Sequence, residues 1–301
     1  MNSIPLKNYF SVDDATTINN MNAEAQNTLL GSAVRTALMG GIGFKDGERL
    51  FVDSVNGNDG FSGEAIDQPM KTIQAAVNKA RYVPGGTVIA TAKDRRRYIF
   101  VMPGQYNERI LFSGYNISII GIGHRSNGEY GVVINYDDAV AATAVVGFSG
   151  SGLEIANICI QCSQAIPALL LDSVSDAVHI HHCWIKGDNA KTCTIGISAA
   201  IKNSVIEDNI INGCITGINV AAGAWFNNSI VRRNKITNVT NGIAIANTAV
   251  CTESEISENR VIGSTSSIVN GQATDIIIDG NKVKPAISDA GSTAGDNTTL
   301  A

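Results

Sequence analysis

The chain has 301 residues, 44% of them hydrophobic but only 6% aromatic, with 30 glycines and 16% charged residues. A net charge of −5 gives no basic surface for a phosphate backbone, so no nucleic-acid partner is expected. No run of about 18 apolar residues is present, so no membrane helix is expected.

Residues 1–48 fit no repeat. Asp13-Asp14-Ala15-Thr16 suits a helix start. Leu29, Leu30, Val34 and Leu38 form one apolar stripe before Gly40-Gly41. Met1 to Lys7 lacks the charged and apolar regions of a secretion signal, so synthesis in a cytoplasm is expected, without export by the general route. This segment reads as a partly helical attachment arm.

Residues 49–96 read as an entry strand and a capping helix. Phe51-Val52-Asp53-Ser54-Val55-Asn56-Gly57-Asn58-Asp59-Gly60 is a strand followed by a Gly/Asn/Asp loop, and Gln68-Pro69-Met70-Lys71-Thr72-Ile73-Gln74-Ala75-Ala76-Val77 is a helix start. With Ile99-Phe100-Val101-Met102-Pro103-Gly104 and Ile117-Ser118-Ile119-Ile120-Gly121, these segments resemble the entry of right-handed parallel β-helix proteins of the pectate-lyase-like superfamily. The resemblance spans about 50–285. It implies a solenoid with a helix over its open end, where core and strand edges would otherwise be exposed. It does not fix an activity, because the fold hosts lyases, hydrolases, epimerases and inert viral spikes. Lyases of that superfamily use carboxylate-bound calcium with a basic residue. Asp137-Asp138 and Asp172 with Asp176 offer carboxylates, but no Asp–Arg cluster stands out. Asp53 with Asn58-Asp59 reads as an Asx-stabilised turn before a calcium loop.

The solenoid is expected over 97–285, in roughly eight coils at the inter-strand spacing of about 4.8 Å. Lys93 to Arg97 is the one basic run, and it reads as a solvated turn. Gly147-Phe148-Ser149-Gly150-Ser151-Gly152 lacks the following Lys-Ser/Thr of a phosphate loop and reads as a coil corner. The strongest signal is a period. Asn209, Asn234, Asn259 and Asn281 recur at steps of 25, 25 and 22 residues. Each has an aliphatic residue three before (Ile206, Val231, Ile256, Ile278) and two after (Ile211, Ile236, Val261, Val283). Such a period indicates a repeat architecture. The aliphatics should stack inward and the asparagines should form a structural ladder at turns, where Asn tolerates the left-handed conformation and amides bond one another. Gly196-Ile197, Gly217-Ile218, Gly242-Ile243 and Ser267-Ile268 run in phase.

Candidate chemistry follows from the same ladders. One reads His182, Asp208, Arg233, Glu258; its neighbour reads His181, Glu207, Arg232, Ser257, Asp279. A glycosidase acid pair would be Asp208 and Glu258 with Arg233 between them. That arginine opposes the raised pKa a general acid requires, so a surface ion-pair ladder is expected. The metal-like residues are Cys159 and Cys162 with His181 and Cys183. Zinc needs converging ligands, and this set reads as core thiols plus exposed histidines. The six cysteines read as small reduced hydrophobes. Trp225-Phe226 reads as a turn-like insertion that meets another subunit, packs against a solenoid side or meets a glycan. Residues 286–301 are small and polar, and should be disordered unless docked.

No cofactor is expected. Taken with the resemblance, the absence of a secretion signal and of an acid pair points to a non-enzymatic surface protein of a bacteriophage virion: a capsid decoration protein, head fibre or short tailspike. It would be homotrimeric, attached to other virion proteins through residues 1–48, and in contact with host surface polysaccharide. The alternative is a carbohydrate-active β-helix enzyme, either a polysaccharide lyase or a glycoside hydrolase.

Overall fold

The computed structural model describes residues 49–81, 96–123, 131–136, 143–187, 193–271, 275–289 and 293–299. The N-terminal arm (1–48) and Asp137-Asp138 lie outside them.

The described chain is a right-handed parallel β-helix. Its strands form a 10-stranded and a 17-stranded sheet, and the pairings are parallel throughout. The first sheet takes one short strand from each coil: Arg49–Val52, Arg97–Val101, Ile117–Gly121, Glu154–Ala156, His179–His181, Val205–Glu207, Ile230–Arg232, Ser254–Ser257, Ile276–Asp279 and Thr293–Ala294. Side chains alternate in and out along a strand, so matching residues of successive strands face the core. In register, that column is Leu50, Ile99, Ile119, Ile155, Ile180, Ile206, Val231, Ile256 and Ile278. All nine are at most 2% exposed, so the aliphatic three before each asparagine is a core rung.

The second sheet carries the other inward columns. Ile160, Ile185, Ile211, Ile236, Val261 and Val283 stack in register. So do Leu169, Ile197, Ile218, Ile243 and Ile268. The glycines preceding the last column mark close approach of coils. A Cβ on Gly217 would meet Gly242 O, and one on Gly242 would collide with Ser267 O and Val261 Cγ1.

Two corners flank the first sheet, and each is set by a left-handed residue. On entry these include Asn116, Ala177, Asn203, Asn228, Glu253 and Asp275; on exit, Asn157, His182, Asp208, Arg233, Glu258 and Gly280. The asparagines of the period therefore do not adopt the left-handed conformation, contrary to expectation. They follow it by one residue and turn inward. Asn209, Asn234, Asn259 and Asn281 are all at most 1% exposed. Each donates from Nδ2 to Oδ1 of the next (3.0–3.1 Å), and each such Oδ1 also accepts the preceding asparagine's backbone N–H. Burial selects the amide, because the corner backbone groups must be satisfied without water. A serine ladder does the same at the entry corner. Ser204, Ser229 and Ser254 accept from Val178 N, Ser204 N and Ser229 N at 2.9, 3.2 and 3.2 Å.

Polar residues after 285 join the same pattern. Thr293–Ala294 pairs with Ile277-Ile278, and Thr298–Thr299 with Lys282-Val283. Asn297 Oδ1 accepts from Asn281 N and Nδ2, both at 3.0 Å, which adds a rung to the asparagine ladder.

The helix Ile73–Ala80 packs Ile73, Ala76, Val77 and Ala80 on the core. Thr72 is its N-cap, with Oγ1 accepting from Ala75 N at 3.2 Å. Asp59 holds Lys71 N and Thr72 N, both at 2.8 Å, and Glu108 holds Ile73 N and Gln74 N, both at 2.8 Å. The free N–H groups of this helix end are thus tied to the loop and to the first coil. Among the described residues no helix is long and apolar enough to cross a membrane.

Candidate functional site

The outward face of the first sheet carries a polar cluster at mid-length. In the strand His179–His181, Ile180 points inward, which leaves His179 and His181 outward. Glu154 is in register with His179 on one side, and Glu207 with His181 on the other. The histidine pair is therefore bracketed by two glutamates. The His179 and His181 rings stack at 4.1 Å between centroids. His181 Nε2 lies 3.2 Å from Glu154 Oε1, and His179 Nε2 lies 2.9 Å from Glu207 Oε1.

The other oxygen of each glutamate is also taken. Glu154 Oε2 accepts from Ser118 Oγ at 2.6 Å and Arg96 Nη1 at 3.0 Å. Glu207 Oε2 accepts from Arg232 Nε at 2.8 Å and Arg233 Nη2 at 2.5 Å. These partners fix the charge. The hydrogen bond from His181 outweighs burial at Glu154 and, with Ser118 and Arg96, holds its pKa down at about 2. Burial pushes Glu207 up, but the bonds from Arg232 and His179 and the two arginine charges bring it down to about 2.

The exit corner continues the strip. Arg233 forks onto Asp208, with Nε to Oδ1 and Nη2 to Oδ2 both at 2.9 Å, and its Nη1 lies 4.0 Å from Glu258. The ladder His182, Asp208, Arg233, Glu258 is thus assembled as the period indicates. The bond from Arg233 lowers the Asp208 pKa. Neither Asp208 nor Glu207 is held as the protonated acid that glycosidic cleavage requires.

The metal-like set of Cys159, Cys162, His181 and Cys183 is not brought together. Every one of the six thiols is buried, whereas His181 stands on the outer face. Cys183 turns into the core past the left-handed corner at His182, and Cys159 and Cys162 are buried in a strand of the second sheet. Burial raises the Cys183 thiol to about 12. Bonding to Cys193, with burial, holds the Cys162 thiol well above its usual range.

Trp225 and Phe226 are in a strand, Trp225–Asn227, and not in an insertion. Phe226 is 1% exposed and stacks between Ile201 and Cys251 in the core, so it can touch no ligand. Trp225 is exposed, and Lys202 Nζ lies 3.0 Å from its ring centroid. The Asp53 turn is an Asx turn, with Oδ1 accepting from Val55 N at 2.8 Å and Asn56 N at 3.1 Å. Asp59 caps the helix. Asp176 Oδ1 accepts from Asn203 Nδ2 at 2.9 Å, while Asp172 is exposed.

Glu154, Ser118 and Arg96 were not singled out from the sequence. For Glu154 the signal was there: it precedes His179 by the 25 residues of the period. Ser118 and Arg96 lie beyond a longer, irregular coil.

No family model matches the sequence, and no curated protein matches it. Solved structures do resemble it in the course of the chain. The pectin methylesterase of Aspergillus niger shares 15% identity and a TM-score of 0.46, covering 83% of this chain and 85% of its own. The pectin methylesterase from carrot shares 14% with a TM-score of 0.40, covering 83% and 88%. The GH136 lacto-N-biosidase of Eubacterium ramulus shares 12% with a TM-score of 0.33, covering 94% and 72%. At these values the likeness is one of fold and carries no argument about activity.

Proposed function

We propose that the protein is a glycan-engaging surface solenoid that binds without cleaving. The observation that carries the second half is the occupancy of the flank: Glu154, Glu207 and Asp208 each accept a hydrogen bond from an arginine. A carboxylate held as an anion accepts bonds from sugar hydroxyls but donates no proton to a leaving oxygen. The flank also suits an extended polar chain. Its outward columns pass from Tyr98 and Phe100, whose rings stack at 6.2 Å, to the histidines, glutamates and arginines. Aromatic faces and charge-assisted acceptors in one strip supply both parts of carbohydrate recognition.

The setting belongs to the same proposal: a homotrimeric bacteriophage virion component, made in the host cytoplasm and anchored to other virion proteins by residues 1–48. Light scattering on the full chain and on a chain lacking 1–48 tests this. A trimer in both supports it, and stable monomers in both remove its assembly role.

A carbohydrate-active enzyme is the second reading. It is favoured by one geometric fact, that Glu154 and Glu207 bracket the histidine pair from two rungs apart, about 9–10 Å at the inter-strand spacing. That is close to the separation of an inverting acid–base pair, about 6.5–9.5 Å. One experiment separates the two readings. The protein is incubated with a panel of neutral and acidic polysaccharides, retention is measured by co-sedimentation, and the supernatant is assayed for new reducing ends, unsaturated ends and released methanol. Retention without products supports binding alone. Products that disappear in Glu154→Gln or Glu207→Gln establish the enzyme.

A further inference from the structure

We propose that His179, His181 and Glu154 form a binding site for a zinc-class transition-metal ion on the outer face of the first sheet. The site shares Glu154 and the histidines with the glycan-engaging flank but does not rest on glycan binding. One ligand atom from each residue lies within 4.8 Å of the other two. The backbone dictates this convergence. The two histidines are two residues apart on one side of a short strand, and Glu154 is the register partner of His179 on the adjoining strand. His181 Nε2 and Glu154 Oε1 are 3.2 Å apart. Two ligands at about 2.0–2.1 Å from a tetrahedral ion lie roughly 3.3 Å apart. His179 has to swing inward to complete the set, and it is the more exposed ring, with 40% of its side chain accessible against 20% for His181.

The surroundings orient the ligands as outer partners of metal sites do. Arg96 and Ser118 both hold Glu154 Oε2, which leaves Oε1 toward the histidines. His181 Nδ1 lies 2.9 Å from His182 Nδ1, and a bond between two such nitrogens needs a proton on one of them. With that proton on His182, His181 donates Nε2–H to Glu154 Oε1, and an ion entering between them displaces that proton. Two imidazole nitrogens and one carboxylate oxygen match zinc, nickel or copper. They do not match calcium or magnesium, which take all-oxygen sets. The buried thiols take no part.

The test is titration of the full chain with Zn²⁺, and separately with Ca²⁺ and Mg²⁺, by calorimetry at neutral pH. It is run on wild type and on His179→Ala, His181→Ala, Glu154→Gln and Ser118→Ala, each checked for fold by circular dichroism and melting. The nearly isosteric Glu154→Gln keeps the test valid should a histidine variant misfold. The expected result is one Zn²⁺ per chain, affinity lowered on the order of 100-fold or more by loss of a ligand and about 10-fold by Ser118→Ala, and no response to Ca²⁺ or Mg²⁺. No zinc binding by the wild type overturns the proposal. So does binding that is undiminished in the folded His181→Ala and Glu154→Gln chains, because the ion then sits elsewhere.

Discussion

Replacing Asn234 by alanine should be among the most damaging single changes in this solenoid, and the cost follows from its bonds. The side chain is fully buried. Its Nδ2 donates to Ile206 O (2.9 Å), Arg232 O (2.9 Å) and Asn259 Oδ1 (3.1 Å), while its Oδ1 accepts from Asn209 N (3.1 Å) and Asn209 Nδ2 (3.0 Å). Several partners keep another bond: Asn259 Oδ1 still accepts Asn234 N, and Asn209 Nδ2 still reaches Ile180 O. The buried Asn209 N–H, by contrast, loses its acceptor. An orphaned buried donor costs about 1–3 kcal/mol, and the other lost bonds about 1 kcal/mol each where no replacement exists. The sum is about 3–5 kcal/mol. Asn297→Ala removes the same kind of bonds at the partly exposed end rung, where water replaces them, and should cost about 1 kcal/mol. Asn234→Asp should be worse than alanine, because it turns an acceptor toward two carbonyls. Denaturant unfolding followed by circular dichroism gives the differences, and hydrogen exchange at Asn209 N–H reports the local effect. A cost below about 1 kcal/mol for Asn234→Ala, with Asn209 protection intact, would refute the claim that this ladder holds the corners.

Other substitutions separate the remaining forces. Gly242→Ala should disrupt the rung outright, since its Cβ meets Ser267 O and Val261 Cγ1, whereas Gly223→Ala meets nothing within 4 Å and carries only the strain of φ +74°; comparative melting temperatures check this. Glu108→Ala strips two N–H groups of the capping helix of their acceptor and should cost about 2 kcal/mol, read by denaturant unfolding. The acid limb of stability should come from Glu154 and Glu207. Both sit at about 2, below the ordinary 4.5, so the native state binds fewer protons than the unfolded one. Their contribution is complete above about pH 4.5 and is lost as pH falls toward about 2. Because the arginines that hold them are 37–38% exposed, roughly 1–2 kcal/mol each is the expected size after screening. Glu108 runs the other way, since burial raises its pKa. Melting curves from pH 7 to 2 should flatten in the Glu154→Gln, Glu207→Gln double variant.

The period made most of the fold legible. A core rung, an inward asparagine and a second rung repeat because each coil meets the same neighbours, so a local pattern carries the tertiary contact. Where the contact is not periodic, the sequence is silent. Nothing local ties Glu108 to Ile73 and Gln74, which are brought to it only when the helix folds over the first coil. Asn297 was hidden because its rung arrives after 16 residues and not the 22–25 of its predecessors, with Ala294 and Thr299 in register where the earlier rungs have Ile or Val. Phe226 misled because an adjacent Trp-Phe pair looks exposed as a unit, whereas a strand must send one ring in and the other out. The site divides in the same way. Arg233 between Asp208 and Glu258 follows from alignment alone. The pairing of His181 with Glu154 required a coil upstream of the clear repeat.

The central claim is that the flank carboxylates are held as anions by the ladder and so bind without cleaving. Its most direct test is a pH titration of the glutamate side-chain carboxyl carbons by NMR, with Glu154 and Glu207 assigned through their Gln variants. The account predicts that both titrate far below the ordinary 4.5, near 2. A carboxyl at either position that is still protonated above its ordinary range would contradict it, and would return a general acid to the flank.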